Sequence, residues 1–246
     1  MDYAFLSETG NRRVNEDCAG IEESGSAVLF SVCDGLGGHA KGEIASAMAV
    51  SVLNSAFKSS SSFDDNFFPE ALGAVKDALH NAAQSDPSLA DTKTTVTSLL
   101  IAGDRCRWCH VGDSRIYGFK NGEITMITRD HSVPRMLVDS GEITFSDIRR
   151  HPDRNVLLRA MSTDFCTENA EYSEECDTGD FDAFLLCSDG FWELINERRM
   201  CHTLHHSSSA KEWLNIMADD VRQKGRRRNM DNYTAIAVIL TGKEKD

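Results

Sequence analysis

Two short apolar runs in this chain end in the same way. Residues 27–33 lead into Asp34-Gly35, and residues 184–187 lead into Ser188-Asp189-Gly190. A short apolar run bounded by turn residues reads as a buried strand. A strand end fixes its carboxylate on a rigid element, and the glycine after it lets the backbone bend or come close to a ligand or ion. Further strands are expected at 96–102, 106–111, 115–119 and 233–240. Helical spacing marks 42–57, 69–84 (with Pro69 at its first position) and 210–221, where Trp213, Leu214, Met217 and Val221 share a face. Strands joined by tight turns, with helices in separate blocks, predict an α+β layered fold rather than a parallel doubly wound sheet.

Three more acidic points belong with this pair. Asp231 opens the last predicted strand, Asp113 lies at a turn between strands in Val111-Gly112-Asp113-Ser114-Arg115, and Asn15-Glu16-Asp17 lies near the N-terminus. Carboxylates brought together repel unless a cation neutralises them. An all-oxygen donor set suits hard ions, Mg²⁺ or Mn²⁺, and two such ions can activate a water and steady a phosphoryl oxygen. Any one Asp-Gly on its own is a turn, so the reading depends on the five segments converging.

Composition bounds the partners. The 246 residues are 41% apolar and 26% charged, as in ordinary globular proteins. With 26 basic and 39 acidic residues the net charge is −13, which argues against nucleic acid or an anionic membrane as a partner. No apolar run reaches bilayer length and the first residues lack the blocks of a signal peptide, so a cytoplasmic location is expected. The 8 cysteines are scattered and read as reduced, small apolar residues. Ser59 to Ser62 and His205 to Ser209 read as polar surface loops.

The ordered set Gly10-x-Arg12-x-x-Asn15-Glu16-Asp17, Asp34-Gly35-Leu36-Gly37-Gly38-His39, Val111-Gly112-Asp113-Ser114-Arg115, Ser188-Asp189-Gly190 and Asp231-Asn232-Tyr233-Thr234 resembles the PP2C (PPM) protein phosphatases. Asp130-His131-Ser132 and the stretch from His151 to Ala160 are similar to the segments flanking the flap in bacterial members. The resemblance runs from Gly10 to Leu240, and five motifs in order are far more specific than one. It implies a single domain over 1–246, an αββα sandwich of two antiparallel sheets with helices outside and the metals at one end, and a flap at about 130–160. It implies two Mn²⁺ or Mg²⁺ ions, with Asp34 bridging them, the Gly35 carbonyl on the first, and Asp189 and Asp231 on the second. Glu16 and Asp17 would hold metal-bound waters, and Asp113 with Asp189 a weaker third ion. Arg12 would clamp the substrate phosphate, where a guanidinium fork pairs two oxygens better than a lysine can.

The implied activity is hydrolysis of phosphoserine and phosphothreonine in proteins by a metal-bridged hydroxide, opposing a bacterial Ser/Thr kinase, in a monomer. Leu36 stands where animal relatives carry a histidine thought to protonate the leaving oxygen. The general acid is therefore unassigned; His39, three residues further on, is expected to open a helix, where a structural role is at least as good a reading as a chemical one. Lys93 before Thr94-Thr95, and Ser162, both stand where relatives usually have glycine.

Three other readings compete. Cys109 to Arg115 fits the Cys-x5-Arg loop of cysteine phosphatases, which needs a following helix whose N–H groups face phosphate. Cys106 to His110 fits a haem-attachment pattern, in a strand and without an export signal. A pseudophosphatase that binds phosphoproteins without turnover is the third, and the presence of every metal aspartate and of Arg12 argues against it. Arg226-Arg227-Arg228 reads as a solvated loop.

Overall fold

The computed structural model describes residues 1–36, 41–60, 64–226 and 229–240. His39 with its neighbouring glycines, Ser61 and Ser62, and Arg227 and Arg228 lie outside them. In chain order the strands are β1 (Asp2–Glu8), β2 (Asp17–Ser24), β3 (Ala27–Leu36), β4 (Lys93–Thr94), β5 (Val96–Ala102), β6 (Arg105–Val111), β7 (Arg115–Lys120), β8 (Glu123–Ile127), β9 (Glu171–Tyr172), β10 (Cys176–Asp177), β11 (Ala183–Cys187) and β12 (Tyr233–Ile239). The helices are α1 (Gly42–Ser59), α2 (Phe67–Ser85), α3 (Val133–Asp139), α4 (Asp189–Trp192), α5 (Glu197–His205) and α6 (Ala210–Gly225).

Two antiparallel sheets result. One has the order β1-β12-β11-β7-β8; the other runs β10-β6-β5-β3-β2, with β4 on β3 and β9 on β6. The period-two alternation of a strand decides what packs where. On β3, Val28, Phe30 and Val32 point to the layer between the sheets, with Phe184 and Leu186 of β11 and Ile236 and Val238 of β12. The alternate residues Leu29 and Cys33 face α1 and α2. Leu185, Ala235 and Ala237 face α5 and α6 on the far side. Ala45, Ala49, Leu53 and Phe57 recur every four residues and bury one side of α1. The order of layers is therefore helix, sheet, sheet, helix, as expected.

Local boundaries differ for readable reasons. The strand ending at Asp34-Gly35 continues through both to Leu36, because β4 pairs with Gly35 and Leu36. Helix α2 starts at Phe67, two residues early, because Phe67 and Phe68 are buried; Pro69 sits inside the first turn, where its missing N–H costs nothing. Asp231 precedes β12 by two residues rather than opening it. His205 ends α5 instead of belonging to a loop. Strands β1 and β2 had no separate signal in the sequence, since their half-buried residues alternate weakly.

Candidate active site

Two of the chain's crossings between the sheets, from β1 to β2 and from β6 to β7, lie at one end of the sandwich. The first crossing carries Arg12 and Glu16, and the second carries Asp113. Asp17 begins β2 directly opposite Asp34 on β3. Asp189 follows β11 as the first residue of α4, and Asp231 precedes β12. Both sheets thus deliver carboxylates to one place.

Their mutual repulsion is visible in their proton affinities. The Asp34 carboxyl is raised well above its ordinary value, first by burial and then by the charges of Asp17, Asp189, Asp113 and Asp231. Burial raises Asp189 to about 7, with Glu193, Asp231 and Asp17 adding to it. Asp17 rises to about 6, again chiefly by burial. Asp113 is raised well above its usual range by burial, and then by Asp189 and Asp130. A cluster in which each carboxylate opposes the ionisation of the next is a donor set that fits divalent cations. Among the described residues, no three of these carboxylates bring oxygens within 4.8 Å of one another.

The surrounding polar groups fix this arrangement. The Asp34 N–H donates to Thr95 Oγ1 at 2.8 Å, and the Asp34 carbonyl accepts from Thr95 N at 2.8 Å and from Thr94 Oγ1 at 3.0 Å. Ser188 Oγ donates to Asp17 Oδ2 at 2.7 Å and accepts from Thr234 N at 3.0 Å, tying one sheet to the other. Asn232 accepts from Glu16 N at 2.8 Å and donates to the carbonyls of Thr9 and Val14, which staples the loop carrying Arg12. Sequence reasoning quoted Ser188, Asn232 and the Thr94-Thr95 pair but gave them no role. Their signal was their position: each is a short polar residue beside a strand end or a motif aspartate. It missed Glu193 entirely, although Asp189 and Glu193 lie four residues apart and so face the same way.

The two glycines serve close approach rather than bending. Neither Gly35 nor Gly190 has a positive φ. A Cβ on Gly35 would collide with the carbonyl of Gly42, and one on Gly190 with the carbonyl of Asn232. The Glu16 carboxylate accepts from Gly42 N at 3.2 Å in the same tight corner.

Above Asp189 and Asp231 lies a cleft of about 500 Å³, also lined by Arg12, Arg149, Arg150 and Arg154. Arg12 is exposed and donates to Asp231 Oδ2 at 2.6 Å. Arg149 and Arg154 are held by Glu197 and Glu193 at 2.6 and 3.1 Å. An open, cationic rim over an acidic floor can take a phosphate attached to a larger molecule.

The cysteine readings fail on geometry. Cys109 is buried in β6, and burial pushes its thiol far up. Arg115 starts a strand, not a helix, and its guanidinium is bound to Asp130 at 2.6 and 2.8 Å. Cys106 and Cys109 point into opposite cores.

The model of the family described as protein phosphatase 2C matches residues 7–232. The chain belongs to this family. It is 30% identical to the serine/threonine phosphatase stp of Listeria monocytogenes over 255 residues, covering 100% of this chain and 99% of that protein. It is 34% identical over 212 residues to the serine/threonine protein phosphatase PstP of Mycobacterium tuberculosis, covering 83% of this chain and 39% of that protein. The chain therefore spans about two fifths of the length of PstP. The crystal structure of the PstP catalytic domain in complex with two manganese ions superposes with a TM-score of 0.80 at 28% identity, covering 97% of this chain and 98% of that one.

Proposed function

We propose that this PP2C family member is a metal-dependent phosphatase acting on phosphoserine and phosphothreonine in proteins. The observation that carries the reading is the convergence of Asp17, Asp34, Asp113, Asp189 and Asp231 from both sheets beneath a cleft rimmed by Arg12. The two manganese ions of the PstP structure support Mn²⁺ as the metal; Mg²⁺ satisfies the same hard-oxygen chemistry. Bound here, such ions lower the pKa of water and offset the charge of a phosphate.

Asp34, Asp189, Asp231 and the Gly35 carbonyl hold the two ions in this reading, and Asp113 with Asp189 holds a third. Asp17 and Glu16 orient waters, Asp17 being itself held by Ser188. Arg12 receives the phosphate: its hydrogen bond to Asp231 keeps the guanidinium beside the site, and its exposure leaves donors for two phosphate oxygens. Positioning and electrostatics supply most of phosphoryl transfer, so a rigid acidic floor and a cationic rim suffice. The counterpart is a bacterial Ser/Thr kinase, and the location is cytoplasmic, in keeping with eight free cysteines. Residues of about 130–160, with α3 and the 3-10 turn Phe145–Arg150, form a flap beside the cleft that selects the docking protein. Grafting another member's flap changes substrate preference; unchanged preference would sink that assignment.

The decisive test is dephosphorylation of a phosphothreonine peptide with and without Mn²⁺, beside Asp189→Ala. Activity is expected to require metal and to fall about a hundredfold or more in the variant, since metal stabilisation is worth several kcal/mol. A folded wild-type protein inert with every ion would instead make this a phosphoprotein-binding module.

A further inference from the structure

Beside the β6–β7 crossing lies a second group of ligand-type side chains. His110 on β6 is fully buried, and neither of its ring nitrogens makes a hydrogen bond. A buried imidazole in that condition is unusual, because at least one nitrogen ordinarily finds a partner. Glu171 of β9 is paired with His110 in register, and its Oε2 lies 3.7 Å from His110 Nδ1, beyond hydrogen-bond reach. The His131 ring is 4.9 Å from that of His110, centroid to centroid. One ligand atom from each of the three lies within 4.8 Å of the others, the only such trio among the described residues.

These distances have a natural meaning. Two ligands on a tetrahedral ion, at bonds of about 2.0–2.2 Å, stand about 3.4 Å apart. The His110–Glu171 separation is therefore too long for a hydrogen bond and close to the edge of a coordination tetrahedron. His131 and Glu171 also line a pocket of about 520 Å³, which gives an entry path and room for a fourth ligand. Burial, with His110 and Arg159, lowers the His131 pKa to about 4, so the ring is neutral near pH 7, the form that binds metals.

We propose that His110, His131 and Glu171 form a binding site for a single zinc-class divalent ion, separate from the aspartate cluster, with its fourth position open to this pocket. Two imidazoles and one carboxylate are the donor set of a borderline-soft ion, unlike the all-oxygen set of the aspartates. The site is coupled to its neighbour. Gly112 N donates to His131 Nδ1 at 3.2 Å, and the backbone N–H of His131 donates to the Gly112 carbonyl at 2.7 Å. An ion on Nδ1 displaces the first of these bonds; an ion on Nε2 moves the ring proton to Nδ1 and ends it as well. Occupancy thus acts on the turn that carries Asp113. The proposal does not rest on the phosphatase reading.

The test uses Co²⁺ as a spectroscopic stand-in, added to metal-stripped protein with Mg²⁺ in excess to fill oxygen sites. One equivalent of Co²⁺ is expected to give the strong visible bands of a four-coordinate, nitrogen-bearing site, and one equivalent of Zn²⁺ to abolish them. Glu171→Gln, at a partly exposed side chain, should weaken binding about tenfold or more. His131→Asn should remove the bands. His110→Gln should do the same, with circular dichroism and melting confirming its fold. Only the pale spectrum of an octahedral ion, or bands that persist in Glu171→Gln and His131→Asn, would overturn the site.

Discussion

Asp17 and Asp189 hold protons at pH values where an ordinary aspartate has lost them. Their pKa values rise from 3.8 to about 6 and about 7 on folding without metal. A group whose folded pKa is raised binds more protons in the native state, so its contribution is complete below 3.8 and is lost as pH rises through the folded value. In a chelator, the protein should therefore lose stability between pH 5 and pH 7.5. Urea melts across that range should show the slope, and Asp189→Asn should flatten it. A stability that rises over the same range would contradict this electrostatic picture. The sequence announced these two residues unevenly. Asp189 stood in a strand-Asp-Gly pattern shared with Asp34, whereas Asp17 was one carboxylate in Asn15-Glu16-Asp17. Its weight comes from facing Asp34 across β2 and β3, a register that no local pattern contains. The same holds for Ser188 and Asn232, whose hydroxyl and amide matter because of what the fold brings opposite them.

Elements were legible where burial made their pattern strong. Strand β5 matches its expected bounds of 96–102, and α6 begins at Ala210 as expected and runs on to Gly225, because both present long apolar faces. Strand β1 was silent because it is an edge strand paired with β12 and exposes Phe5, an apolar residue at its middle. Least legible was the join between β7 and the segment leading to α3. Arg115 is fully buried; its guanidinium forks onto Asp130, donates to Tyr117 Oη at 3.0 Å and lies 3.5 Å from the centre of the Trp192 ring. Trp192 in turn donates to the Asp113 carbonyl at 2.9 Å. This bidentate pair links the strand, the segment leading to α3 and the turn that carries Asp113. Breaking one side of a buried pair leaves an uncompensated charge and costs about 3–5 kcal/mol. Asp130→Asn or Arg115→Met should lower the unfolding free energy by that amount in denaturant titrations. A change below about 1 kcal/mol would mean that water reaches the pair and screens it.

At the scale of the whole molecule, the carboxylates matter because of which sheet each belongs to. Asp17 and Asp34 come from the sheet under α1 and α2, and Asp189 and Asp231 from the sheet under α5 and α6. Between the sheets the contact is apolar, through Phe30, Leu99, Ile116 and Phe184. At this end, however, the sheets bring carboxylates together, and each opposes the ionisation of the next in the metal-free sandwich. An ion shared by the two pairs, as proposed above, would convert that repulsion into a cross-link and would bind the folded state alone. Linkage then fixes the size of the effect: at a free concentration a hundred times the dissociation constant, one ion adds about 2.7 kcal/mol. Mn²⁺ should raise the melting temperature progressively with concentration. The denaturant m-value should stay unchanged, because the surface exposed on unfolding is the same. Asp34→Asn and Asp231→Asn change proposed ligands on opposite sheets, and each should abolish the stabilisation, since half a site on either sheet cannot bridge. If either variant kept the full Mn²⁺ effect, the ion would be held by one sheet, and the sandwich would close by apolar packing alone.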